Sequence, residues 1–172
     1  MPNTKKILVT GSNGFLGSNL IKSLNSNNEI DSIPITREMF LDISKFLDSD
    51  TNIIYHFAGI NRPKNISEFE KYNSELTNIL CFELEKFFKT NKNKFTIVYA
   101  SSIQAELDNP YGKSKLKAEN YLINFCKRFE LPLYVYRLPN LFGKWCKPNY
   151  NSVVATFCYN IANNLPIKVS DP

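Results

Sequence analysis

The sequence predicts an α/β fold, a doubly wound parallel sheet covered by helices on both faces. Short apolar runs alternate along the chain with longer stretches of helical periodicity. The first apolar run ends in a glycine-spaced turn that leads directly into a helical pattern. No internal repeat, low-complexity tract or clear linker interrupts the alternation.

The elements follow in order. "KKILVTG" reads as a buried strand that stops at Gly11. "GFLGSNLIKSL" places Phe15, Leu16, Leu20, Ile21 and Leu24 at helical spacing. "IDSIPITR" is a second strand, and Pro34 puts it near a sheet edge because proline cannot donate to a ladder. "TNIIYHFAG" is a third strand, and a long helical pattern runs from Glu68 to Lys89. "KFTIVYASS" is a fourth strand. Asn109 and Pro110 suit the cap and first position of a helix whose stripe is Ala118, Leu122, Phe125 and Phe129. "LPLYVYRLPN" is a fifth strand, "YNSVVATFCYNIANN" a last helix, and "LPIKVSDP" the start of one more extended segment. Right-handed crossovers would wind such a sheet doubly.

Composition narrows the function. At 172 residues, 43% hydrophobic and 22% charged, the chain has the balance of a soluble domain with a sizeable core. No apolar run approaches the roughly 18 residues that cross a bilayer, and the N-terminus lacks a signal-peptide pattern, so a cytoplasmic location is expected. Cys81, Cys126, Cys146 and Cys158 form no Cys-x-x-Cys pair and His56 is the single histidine, which argues against a bound metal. The net charge of +5 comes from scattered lysines. It suits an anionic ligand better than nucleic acid.

Two motifs carry chemistry. In "TGSNGFLG", Gly11 permits a tight turn off the strand, Gly14 a close backbone approach to phosphate, and Gly17 close helix–sheet packing. The free N–H groups at Ser12, Asn13, Phe15 and Leu16 then surround a helix N-terminus suited to a pyrophosphate. In "NPYGKSK", Tyr111 and Lys115 stand four apart and share one helix face. By spacing alone the pair reads either as proton chemistry or as an exposed aromatic beside a charge.

These motifs resemble those of the extended short-chain dehydrogenase/reductase family, whose domain is a Rossmann-like NAD(P)-binding fold. Ser101-Ser102 after the fourth strand and "NPYGKSK" occupy the places of its Ser/Thr and Tyr-x-x-x-Lys. "HFAG" at His56–Gly59 resembles its turn after the third strand, and "YNSELTNIL" its Asn-containing helix, with Glu75-Leu76 departing from the usual pattern. "RLPNLFG" resembles its Arg-x-x-Asn-x-Tyr-Gly segment, with Phe142 for Tyr. "SSIQAELDNPYGKSK" and the stretch from Arg137 to Asn164 look similar to the reductase domain of bifunctional capsular polysaccharide enzymes of the UDP-N-acetyl-L-fucosamine pathway. The resemblance covers residues 1–172 as one NAD(P)-binding reductase domain. It implies that a further substrate-binding part and a cupin domain of the family are absent from this chain. The chain alone is therefore expected to bind dinucleotide and to turn over nucleotide-sugar poorly.

The resemblance implies roles. Tyr111 would protonate the alkoxide formed from a carbonyl, and Lys115 would lower the pKa of Tyr111 toward working pH and hold the nicotinamide ribose. Ser102 would hydrogen-bond the substrate oxygen, with Gln104 and Asn140 on the substrate side. Ala58 and Gly59 would line the dinucleotide. Asp42 reads either as an adenine-edge residue or as a helix N-cap. His56 reads as structural. Trp145 and Tyr150 suit either a sugar or uracil pocket or a covering surface, and Arg62 either a substrate phosphate or solvent. Ile103-Gln104 after Ser102 replace the acid–base pair of the family's dehydratases. Arg37 at the end of the second strand favours NADPH over NADH through its charge on a ribose phosphate, unless it is a solvated strand-end arginine. The expected function is NADPH-dependent reduction of a UDP-linked 4-keto-6-deoxy amino sugar, by a homodimer in its full-length form. A nucleotide-sugar epimerase and a non-catalytic dinucleotide-binding module are the alternatives.

Overall fold

The computed structural model describes residues 4–169. Five strands, β1 (Lys5–Thr10), β2 (Ile30–Ile35), β3 (Thr51–His56), β4 (Thr96–Ser102) and β5 (Leu133–Leu138), form one sheet in the order β2-β1-β3-β4-β5. β1 pairs in parallel with β2 and β3, and β3 in parallel with β4. The order reverses between β1 and β3, where Thr10 stands opposite His56. A reversal of this kind opens a crevice at the carboxyl ends of the strands. β2 is the edge strand, as Pro34 requires.

Leu8, Ile54, Ile97 and Tyr99 alternate onto one face and share a core with α3 (Leu76–Thr90) and α4 (Pro110–Phe129). Ile7 and Val9, on the opposite face of β1, are also buried. Helix α1 (Phe15–Leu24) packs against β1 and β2. Phe88, Phe95, Phe125 and Phe129 stack between α3, α4 and the start of β4, with Phe125 and Phe129 ring centroids 4.8 Å apart. Helix α4 begins as expected. Pro110 is its first residue and the Asn109 side chain accepts the Gly112 N–H at 2.8 Å.

The pattern from Glu68 to Lys89 is not one regular helix. A short α2 (Ser67–Phe69) runs into a π-helical segment, Glu70–Glu75, before α3. The hydroxyls of Ser74 and Thr77 donate to the carbonyls of Glu70 and Asn73 at 2.9 and 2.7 Å. Those carbonyls are the ones an α-helix would give to the N–H groups four residues on, so the ladder widens. Nor does "LPIKVSDP" open a strand: residues 165–169 carry no regular structure, and 170–172 lie outside the described residues.

The chain divides into compact units Met1–Arg137 and Leu138–Pro172. The second holds α5 (Val153–Ala162), whose N-cap Ser152 accepts the Ala155 N–H. Among the described residues no helix is long and apolar enough to cross a membrane.

Candidate active site

The glycine turn closes off β1 by contact with the loop after β3. Gly11 has φ +67°, and a Cβ there would lie 2.6 Å from the Ala58 nitrogen. A Cβ on Gly17 would lie 2.3 Å from the Gly11 carbonyl oxygen, so the first turn of α1 rests on the turn itself. No side chain caps α1 and no acidic residue stands in its first turn, which leaves its N–H groups and positive end open to an anion. The result is a cleft of about 220 Å³. It is lined by Gly11–Gly14, Ile35–Arg37 and Ala58–Ile60, with Phe40, Tyr72 and Leu76. The Arg37 guanidinium lies 5.0 Å from the Tyr72 ring centroid.

The second group gathers at the end of β4. Ser102 is buried, and its hydroxyl accepts the Gln104 N–H at 3.2 Å. Burial pushes the Tyr111 phenol above its usual pKa, and the nearby Ser102 hydroxyl opposes that rise. One turn on, Lys115 is 6% exposed. Its Nζ donates to the Ala100 carbonyl at 2.7 Å and lies 4.4 Å from the Tyr99 ring centroid. Burial lowers its pKa to about 7, and Glu119 works against that shift.

This corrects the expected electrostatics. Lys115 was to lower the Tyr111 phenol, yet the lowering partner is Ser102, and burial prevails. An ammonium that loses its proton near pH 7 is charged only part of the time there, which weakens its pull on a neighbour.

Beneath both groups runs a buried polar chain. The Ala58 N–H donates to Thr10 Oγ1 at 3.2 Å, and Thr10 Oγ1 lies 2.8 Å from His56 Nδ1. His56 Nε2 lies 2.9 Å from Thr77 Oγ1, whose proton goes to the Asn73 carbonyl. With that proton committed, Thr77 accepts from Nε2–H and Nδ1 accepts from Thr10, so His56 is neutral. A second proton would leave Thr10 without its acceptor. Burial, with the charge of Lys115 second, holds the His56 pKa at about 3. The Asn73 side chain bonds the Ile60 N–H at 2.8 Å, the Ile60 carbonyl at 3.0 Å and Ser114 Oγ at 2.9 Å. His56 is thus structural, as the sequence suggests.

The cleft brings together Gly11, Ser12, Asn13, Gly14, Arg37, Ala58 and Gly59 from three separate strand ends. Phe15 and Leu16 sit on the first turn of α1, outside the lining. Asp42 is neither on the cleft wall nor a cap. It lies exposed within the 3-10 turn Phe40–Phe46, paired with Lys45 at 2.8 Å, and buried Phe40 lines the cleft instead. Gln104 is exposed and meets Ser102 through its backbone. Asn140, Trp145 and Tyr150 belong to the second unit and are exposed there, and Arg62 is exposed in the first. Asn73 is the asparagine of the "YNSELTNIL" stretch, whereas neither Tyr72 nor Glu119 was read as a site residue from the sequence. Of those two, Glu119 carries a readable signal, its position four residues after Lys115 on the Tyr111 face.

Residues 7–171 match the model of the NAD dependent epimerase/dehydratase family. The chain belongs to that family. It is 45% identical over 166 residues to a UDP-2-acetamido-2,6-beta-L-arabino-hexul-4-ose reductase of Pseudomonas aeruginosa, covering 96% of this chain and 44% of that protein. This epimerase/dehydratase-family chain is also similar to the capsular polysaccharide assembling protein CapF of Staphylococcus aureus. That match has a TM-score of 0.72 and 38% identity, over 96% of this chain and 43% of that one. A UDP-glucuronic acid 4-epimerase of Bacillus cereus, solved in complex with NAD, shares the fold. Its TM-score is 0.77 at 23% identity, over 95% of this chain and 66% of the epimerase. The chain therefore spans less than half the length of the Pseudomonas reductase.

The neutral histidine sets an acid limit to stability. The unfolded chain protonates His56 near its ordinary 6.5, while the folded chain resists until about 3. Stability is whole above 6.5 and falls as pH drops through that window, by roughly 4–5 kcal/mol if His56 acts alone. Urea unfolding of wild type and His56→Gln between pH 7 and 4.5 should show a shallower pH slope in the variant. Identical slopes would refute the assignment.

Proposed function

We propose that the protein is an NADPH-dependent reductase of a UDP-linked 4-keto-6-deoxy amino sugar, acting in cell-surface polysaccharide synthesis. One observation carries the reading: Ser102, Tyr111 and Lys115 gather at the end of β4, the serine and the lysine buried and the Lys115 amine bonded to the Ala100 carbonyl at 2.7 Å. The similarity to a UDP-hexulose reductase supports the substrate class. The cleft fits a dinucleotide: its glycine cradle admits no Cβ at Gly11 or Gly17, and an uncapped helix start faces it. Gly11–Gly14 would hold the pyrophosphate and Ala58 and Gly59 would form the facing wall, while Lys115, outside that lining, would hold the nicotinamide ribose. Bound there, the nicotinamide supplies a hydride to the substrate carbonyl.

The remaining steps belong to the chain. Ser102 donates a hydrogen bond to the carbonyl oxygen as negative charge grows on it. Tyr111, whose raised pKa keeps its proton until the alkoxide forms, delivers that proton to the oxygen. Ile103 and Gln104, next after Ser102, offer no carboxyl group for loss of water. Gln104 of the first unit and Asn140 of the second are each read as substrate-binding residues, residues 1–172 as the reductase domain, and the full-length enzyme as a cytoplasmic homodimer. An epimerase of the same family would recycle its dinucleotide, whereas this reading requires one NADPH consumed per sugar.

In the full-length gene product, Tyr111→Phe should lower NADPH oxidation on a UDP-4-keto sugar by roughly 100- to 10,000-fold. Dinucleotide affinity, measured by calorimetry, should be unchanged. Turnover at the wild-type rate would remove Tyr111 from the role of acid.

NADPH preference rests on Arg37, held over Tyr72 at the cleft wall. A charge-assisted bond to the ribose phosphate is worth about 1.5–3 kcal/mol, roughly tenfold to over a hundredfold in affinity. Calorimetric titration should show Arg37→Ala losing that factor for NADPH and little for NADH. Equal affinities in the wild-type chain would overturn the preference.

A further inference from the structure

Glu119 stands one turn after Lys115 on the same face of α4, the usual place for a lysine's counter-ion. Among the described residues no ion pair joins the two. Lys115 instead reaches the Ala100 carbonyl. The Glu119 carboxylate, 3% exposed, is taken up elsewhere. Its Oε1 accepts the Ser101 hydroxyl and, at 3.0 Å, Arg137 Nε. Its Oε2 accepts Arg137 Nη2 at 2.7 Å. Arg137, on β5, thus grips the carboxylate with two prongs, and its third nitrogen, Nη1, donates to Glu106 at 2.8 Å. Ser101 precedes Ser102 in β4, and Glu106 ends the 3-10 turn, Ile103–Glu106, that Ser102 begins.

We propose that Glu119 and Arg137 are positioning residues of the site: their ion pair diverts Glu119 from Lys115, leaving the lysine amine directed along β4, and pins the strand end that presents Ser102. The inference rests on the reading that Lys115 and Ser102 work in the reaction. The groups that face Lys115 are few. His56 on β3 is neutral, Tyr99 on β4 and Tyr111 on α4 are protonated phenols, and among the described residues Glu119 is the anion that acts on the lysine, itself paired with Arg137. Removing the arginine would free Glu119 to attract the ammonium. Removing the glutamate would take away the charge that favours the ammonium form of Lys115. The two losses act on the lysine proton in opposite directions, whereas a loss of packing alone would not tie the sign of the shift to the charge removed.

The test is the Lys115 titration itself, followed through its ¹³Cε chemical shift in the 172-residue chain, so that no turnover is needed. Arg137→Gln should raise the Lys115 midpoint by roughly one pH unit or more, and Glu119→Gln should lower it. The double variant Glu119→Gln/Arg137→Gln should fall between. Should either single variant not fold, Arg137→Lys, which keeps the charge but loses the two-pronged grip, should still raise the midpoint by a smaller step. Midpoints that stay at the wild-type value, or move the same way in both single variants, overturn the inference. If the wild-type full-length product does not oxidise NADPH on UDP-keto sugars, the function fails instead, whatever these midpoints show.

Discussion

A single thread of buried hydrogen bonds joins the two halves of the site, and most of the local geometry depends on it. It begins at the Ala58 N–H on the cleft wall and passes through Thr10 on β1, His56 on β3 and Thr77 on α3 to the Asn73 carbonyl. The Asn73 side chain carries it on to Ile60 and to Ser114, whose hydroxyl donates to the Tyr111 carbonyl at 2.7 Å. Each member is buried or nearly so, where an unmatched donor costs about 1–3 kcal/mol. The donors and acceptors therefore have one consistent assignment. That assignment fixes the neutral His56, accompanies the widened helix at Glu70–Glu75 and ties that segment to the first turn of α4 through Ser114.

The same dry interior governs the charges. Taking Lys115 out of water drops its pKa to about 7, and taking Tyr111 partly out of water raises its phenol. Burial therefore brings an amine and a phenol toward neutrality at working pH, with Ser102 and Glu119 opposing the shifts. The arrangement has a stability cost. The unfolded chain keeps the Lys115 proton up to about its ordinary 10.5, so folding is penalised at neutral pH and stability rises with pH between about 7 and 10.5.

Much of this was legible beforehand because it depends on short-range rules. The parallel sheet follows from the alternation of apolar runs and helical periods, and the edge position of β2 from Pro34. The glycine turn was readable because Gly11 and Gly17 each sit where a Cβ has no room. The start of α4 was readable because Asn109 and Pro110 act within one turn. The long helical pattern misled at Glu70–Glu75. Its periodicity reports the apolar face and is silent on the Ser74 and Thr77 hydroxyls that take the backbone acceptors. Asp42 misled because its distance along the chain says nothing about which way a 3-10 turn points.

The amino-acid sequence by itself determined the order of elements, the phosphate-sized turn and the placing of Tyr111, Lys115 and Glu119 on one helix face. These depend on spacing and on backbone sterics, which act over a few residues. Only the tertiary structure decided which partner each polar group takes. Glu119 bonds Arg137 and Ser101 rather than Lys115, Lys115 turns to Ala100, and Ser102 rather than Lys115 lowers the Tyr111 phenol. Those choices join residues from different strands in a space that excludes water, and the strength and sign of each interaction depend on burial that no local pattern encodes.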